Sequence, residues 1–198
     1  MECTQEIFLE DVKNHVMHIV AKQGVNRHIR FRKVGMGHMW FDVITWSDHL
    51  CITGDMGTYV FCRIPDMFEF FRRDAELPDS LYINLQYWSE KCIAIDHHNG
   101  VEVYSPEKFE KRIKERMDEE GVSESVRLEV EDTVLFHAND GEYAAMQAAL
   151  EFEHEDFQFY DFWEVNLKEF SYHFVWCCYA IAWAIQQYDK LNSLRVSG

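Results

Sequence analysis

Residues 50–64 read LCITGDMGTYVFCRI, two apolar-rich runs that meet at Gly54-Asp55-Met56-Gly57. A two-residue Met56-Gly57 loop of type I′ demands positive φ at Met56, whereas a type I turn over Asp55-Met56 asks it only of Gly57, as a left-handed bulge. The bulged loop is therefore expected. It pairs Cys51 with Phe61 and sets Cys62 opposite Leu50, so the two thiols do not face each other and no cross-strand disulfide is predicted. Upstream the pattern continues in kind. His15 to Val20 alternates, Gln23-Gly24-Val25-Asn26 supplies a turn, and Arg27 to Lys33 alternates again, with His28, Arg30 and Arg32 on the face opposite Ile29 and Phe31. Met39 to Trp46 is a further strand. The first part of the chain, 12–64, thus predicts an antiparallel meander of about five strands with a basic outer edge at Arg27, Arg30, Arg32 and Lys33.

From Pro65 the period changes from two to about 3.6, and 65–192 reads as helix-rich. Pro65 precedes a short helix with acids early and bases late. Asn84 caps a predicted helix over Leu85 to Ile95. Ser105-Pro106-Glu107 is a cap, a proline and an acid in the order a helix start prefers, and Phe109, Ile113 and Met117 then form an apolar stripe on a charged helix. Glu107/Lys111 and Glu110/Lys114 are spaced as i, i+4 pairs. Val126 to Phe136 fits strand alternation and helix stripe alike; Ser123 as a cap favours helix. Gly141 to Phe152 is an alanine-rich helix, Phe157 to Trp163 is aromatic and irregular, and a long helix from about Leu167 to Leu191 closes the chain. Its middle is apolar nearly all round, which implies neighbours on several sides. The expectation is one α+β domain over 1–198: a meander, helices packed on one of its faces, and a C-terminal helix in the core.

Composition supports a folded chain. At 198 residues with 47% apolar content the chain can bury one sizeable core, and this hydrophobicity argues against disorder despite a net charge of −16. The charge is uneven: residues 1–50 are balanced, and the three following blocks carry −4, −7 and −5. Residues 102–169 alone hold twenty acids against seven bases. Such a surface repels nucleic acid, lipid headgroups and anionic metabolites and attracts a basic partner. The six cysteines form no CxxC pair, and MECTQEIFLED lacks the basic-then-apolar pattern of a secretory leader, so reduced thiols in the cytoplasm are expected. The longest apolar run, Phe174 to Ile185, has twelve residues, short of the roughly 20 that span a bilayer. No membrane association is expected.

Chemistry has few footholds in the sequence. Asp96-His97-His98 is a string with which some metal-dependent phosphoesterases present ligands to a metal pair, but those enzymes add aspartates from parallel strands, and here the run before Asp96 reads as a helix. An exposed helix end stopped by Asn99-Gly100 is the plainer reading. His15 and His18 fall on opposite faces of a strand. Cys177-Cys178 sit about 100° apart on a helix and read as core thiols. There is no GxSxG, Gly-rich phosphate loop or HExxH, so neither a catalytic residue nor a cofactor is assigned. A sponge for a small signal needs an aromatic pocket and a nearby base such as Arg30 or Lys91. The basic strand reads as a solvated edge that discourages strand pairing between molecules. The acidic residues Glu115, Asp118, Glu119, Glu120, Glu129, Glu131 and Asp132 admit two readings: a solubilising face, or carboxylates on consecutive helical turns that copy a nucleic-acid backbone and occupy a basic groove.

The strings Gly54-Asp55-Met56-Gly57-Thr58-Tyr59-Val60-Phe61, Asp66-Met67-Phe68-Glu69-Phe70-Phe71, Tyr87-Trp88-Ser89-Glu90-Lys91 and Trp176 to Asp189 (WCCYAIAWAIQQYD) together resemble a family of small, functionally unassigned proteins of tailed bacteriophages and prophages. The resemblance spans most of the chain and carries no catalytic residue. It implies accessory phage genes, a company that includes inhibitors of bacterial defence such as anti-CRISPR and anti-restriction proteins. The expected function is non-enzymatic: binding of the acidic face to a basic groove of a nucleic-acid-handling protein of the bacterial host, without direct nucleic-acid binding. A metal-dependent phosphoesterase using Asp96, His97 and His98 is the alternative, the sponge the third.

Overall fold

The 50–64 hairpin lies within a six-stranded antiparallel sheet in the computed structural model, which describes residues 2–72, 80–154 and 157–196, with side chains to residue 193. Along the chain run α1 (Gln5–Val12), β1 (His15–Gln23), β2 (Asn26–Lys33), β3 (Phe41–Trp46), β4 (His49–Gly54), β5 (Gly57–Cys62), α2 (Met67–Phe71), α3 (Leu85–Ser89) and β6 (Cys92–Ala94). There follow β7 (Glu102–Tyr104), α4 (Pro106–Glu120), α5 (Glu124–Thr133), α6 (Glu142–Glu151), β8 (Glu153–His154), β9 (Phe157–Gln158), β10 (Lys168–Phe170) and α7 (Tyr172–Val196). Single 3-10 turns occupy Leu135–His137 and Phe162–Glu164. The chain forms two compact units, Met1–Val101 with Phe170–Gly198, and Glu102–Glu169.

In the first unit the strands follow sequence order, β1-β2-β3-β4-β5-β6, as a meander requires. Alternation places Ile29, Phe31, Val43, Leu50, Ile52, Tyr59 and Phe61 on one face, all fully buried. Against this core pack Phe8 of α1, Phe68 of α2, and Trp176, Ile181 and Ile185 of α7. The all-round apolarity of α7 is explained by its neighbours: α1, α2 and β5 each contact it. All six cysteines are free thiols.

Several local expectations change in the tertiary setting. Gly57 takes the positive φ of +109° and Met56 does not, as the turn argument requires. Gly54 pairs directly with Gly57, however, so no residue is left over and the register is one shorter than expected: Cys51 faces Val60 and Cys62 faces His49. The predicted basic edge is not an edge, because β1 pairs with β2 along its length and leaves β2 between β1 and β3. The predicted helix from Leu85 stops at Ser89 although Asn84 caps it as expected, its side chain accepting from Tyr87 N at 3.1 Å. Cys92–Ala94 instead pair with Val60 and Phe61, since a strand can satisfy its backbone on an open sheet edge where a lone helical turn cannot. The closing helix starts at Tyr172 rather than near Leu167: Lys168–Phe170 pair with β7, and the Ser171 hydroxyl accepts from Phe174 N at 3.2 Å. Helix α1 precedes the predicted strands and is too short for its periodicity to announce it; Thr4 caps it and Phe8 and Val12 are its buried face.

The second unit is mainly helical, with a core of its own. The Ser105 hydroxyl caps α4 and Gly121 ends it in the left-handed region at φ 62°. Phe109, Ile113 and Met117 are buried, as the stripe predicts. Ser123 caps α5, whose Val126 and Val130 are buried, so the ambiguous 126–136 segment begins as a helix and ends in the 3-10 turn. Ala145 and Ala149 of α6 and the rings of Phe152, Phe159 and Phe162 complete this core. Among the described residues no helix is long and apolar enough to cross a membrane.

Candidate partner-binding surface

Helices α4 and α5 carry the candidate carboxylates because their apolar stripes point inward and every other turn position faces water. Asp118, Glu119, Glu120, Glu129, Glu131 and Asp132 are exposed and Glu115 is half-buried. Most are paired within the unit. Glu115 lies 3.2 Å from Arg112 and 3.8 Å from Lys111, and Glu119 is 3.7 Å from both Arg112 and Arg116. Glu120 meets Arg116 at 4.0 Å, Asp118 meets Arg127 at 2.8 Å, and Glu129 bonds the His154 ring. Among the described residues Glu131 and Asp132 form no ion pair. Exposed pairs of this kind contribute about 0–1 kcal/mol each. They lower the local field of α4 but leave the unit's net charge at 20 acids against 7 bases, or −13. Of the expected i, i+4 pairs, Glu110/Lys114 forms at 3.4 Å, while Lys111 turns to Glu115 instead of Glu107.

The cations are as unevenly placed as the acids. All seven bases of this unit lie on α4, at Arg127 or at Lys168; residues 128–167 contain no lysine or arginine and eleven carboxylates. In that same stretch Phe136, Tyr143, Tyr160 and Trp163 are 72%, 81%, 63% and 61% exposed. Phe136 sits on the first 3-10 turn, Tyr143 on the first turn of α6 and Trp163 on the second 3-10 turn, and α6 packs against both 3-10 turns. Composition could have shown the missing bases, but sequence could not show which aromatics face out. Phe159 and Phe162 are buried at 3% beside the exposed Tyr160 and Trp163.

Elsewhere the candidate residues are engaged in holding the fold. Asp96, His97 and His98 follow β6 on a loop, not a helix end. Asp96 Oδ1 accepts from the backbone N–H groups of His98 at 2.8 Å and Asn99 at 3.0 Å. The His98 N–H contributes most to keeping this carboxyl below its usual range. No group of three or more His, Cys, Asp or Glu able to hold a metal ion occurs among the described residues. The His97 and His98 rings contact each other, centroids 4.9 Å apart. His15 bonds the Met39 carbonyl at 2.6 Å on the half-buried side of β1, while His18 is exposed on the other side.

Arg30 and Lys91 are both partnered. Arg30 donates twice to Asp42, at 2.7 Å from Nε and 2.7 Å from Nη2, and His28 completes the cluster at 2.7 Å. Burial raises the Asp42 pKa, but the hydrogen bonds and charges of Arg30 and His28 outweigh it and hold the carboxyl low. Lys91 lies 3.4 Å from Glu90 and 4.9 Å over the Tyr87 ring. Burial pushes the Cys3 and Cys92 thiols up to about 11, and those of Cys177 and Cys178 well above their ordinary value, which favours the protonated thiol over the thiolate.

The chain matches no known family model, no curated protein and no solved structure.

Proposed function

We propose that the protein is a phage or prophage accessory protein, non-enzymatic and acting in the cytoplasm of the bacterial host. It binds and inhibits a defence or nucleic-acid-handling protein by setting its acidic helical unit in a groove built for a polyanion. The observation that supports this most directly is the concentration of −13 of the total −16 in residues 102–169, on helices whose outer faces are exposed. A groove that binds nucleic acid gains its affinity from phosphate contacts, and carboxylates on successive turns offer the same sign at similar spacing. The resemblance of the aromatic strings to phage proteins supports the setting.

The experiment is capture of the partner from bacterial lysate, its identification, and titration of the purified pair across a salt series. Lysine at Glu115, Asp118, Glu119, Glu120, Glu129, Glu131 and Asp132 adds 14 charges and takes the unit from −13 to +1. The expected result is a folded variant that no longer binds and a wild-type affinity that falls with salt, since charges farther apart than about 8–10 Å are screened at physiological ionic strength. Equal binding at low and high salt, together with tolerance of the reversals, refutes the proposal.

A further inference from the structure

Most of the acids on α4 and one end of α5 already share a cation, whereas among the described carboxylates of 128–167 Glu142 alone meets a lysine or arginine, Lys168 at 3.7 Å, and four large aromatic rings stand exposed in the same stretch. We infer that the recognition surface of this unit is centred on α6, and that its occupant is a protein surface bearing arginine or lysine beside an apolar pocket. The inference rests on the reading of the chain as a partner-binding protein and names the part of it that makes contact.

Charge and the rings that the fold leaves outside together mark this surface. Phe136, Tyr143, Tyr160 and Trp163 are 61–81% exposed, and at the usual size of such side chains they present roughly 500 Å² of aromatic surface. That is a large share of the ~800 Å² that one partner contributes to an ordinary interface. Tyr and Trp are the side chains that most often anchor interfaces, because they bury much area at small entropic cost. Asp132 and Glu131 stand on α5 just before Phe136, Asp140 and Glu142 precede Tyr143, and Asp161 and Glu164 flank Trp163. Each ring therefore has a carboxylate near it in sequence and no base between 128 and 167.

This combination selects among occupants. Rings alone could stack on nucleobases, but a stretch with eleven carboxylates, one of them paired with Lys168, repels phosphate, and it repels anionic lipid headgroups for the same reason. A second copy of the chain would bring a −13 unit against another. A guanidinium satisfies both features at once: it lies flat on an aromatic face and donates to a neighbouring carboxylate.

The test uses the full chain and a fluorescein-labelled nona-arginine peptide as probe, read by anisotropy at low and at physiological salt. Two variants separate the sites: Tyr143→Ser with Trp163→Ser, which leaves the charge unchanged, and Glu115→Gln with Glu119→Gln and Glu120→Gln on α4. Circular dichroism establishes that each is folded. The expected result is a loss of about tenfold or more in peptide affinity for the ring variant and about twofold or less for the α4 variant. A ring variant that binds like wild type overturns the inference. If the α4 variant weakens at the same time, the acidic-helix proposal stands without it. Failure of the wild type to bind the peptide at low salt also overturns it, as does tighter binding to a DNA duplex or to phosphatidylserine vesicles. The proposed inhibition is decided separately, by the lysate partner and the seven charge reversals.

Discussion

Replacing Trp176 by alanine should cost far more than replacing Trp183, although the two tryptophans lie on the same helix and the sequence does not rank them. Trp176 is fully buried; its ring meets Phe8 at 5.1 Å and Phe41 at 5.5 Å, and its indole N–H donates to Asp11 at 2.9 Å. Trp183 is half-buried at the border of the core, against Phe31 at 5.2 Å. Truncating a fully buried tryptophan costs about 3–5 kcal/mol in transfer and cavity terms, and the lost indole bond adds about 1 kcal/mol. The Trp183 truncation removes less buried area and should cost about 2 kcal/mol. For a unit of 130 residues the first change lowers Tm by roughly 15–20 °C. Urea unfolding of the full chain followed by tryptophan fluorescence and by circular dichroism measures both. Five of the six tryptophans belong to the first unit, so fluorescence reports chiefly on it. A loss below about 1 kcal/mol for Trp176→Ala, or a larger loss for Trp183→Ala than for Trp176→Ala, would refute the packing described here.

The other predictions are local. Gly54→Ala should destabilise strongly, because a Cβ there would stand 2.2 Å from the Trp40 carbonyl oxygen and 2.8 Å from Phe41 Cα, both backbone atoms; a wild-type denaturation midpoint would count against this close approach. Ser105→Ala should cost about 1 kcal/mol through loss of the α4 cap, read as earlier melting of the second unit by circular dichroism. Asp42 is held below its unfolded value near 3.9, so its contribution is present above that pH and is lost as pH falls through its folded value. Wild type should therefore lose stability more steeply than Asp42→Asn on acidification below about pH 4, and parallel curves would show that the Arg30–Asp42–His28 cluster contributes nothing.

The residues themselves determined whatever depends on near neighbours. The meander follows from period-two alternation and from one glycine able to take positive φ at the 54–57 turn. The caps at Asn84, Ser105 and Ser123 and the Phe109, Ile113, Met117 stripe are contacts within one helix, so the linear sequence contains both partners. The concentration of acid in residues 102–169 is likewise a property of composition. What tertiary structure decided is everything whose partner lies far along the chain. Cys92–Ala94 became a strand because β5 offered an unpaired edge, β2 became an interior strand because β1 paired along its free edge, and the closing helix lost its first residues to pairing with β7. The same reason governs the candidate surface. Charge counts are additive along a sequence, but whether a carboxylate such as Asp118 is paired with Arg127, or an aromatic such as Trp163 is left outside beside a buried Phe162, depends on packing between segments that sequence order does not bring together.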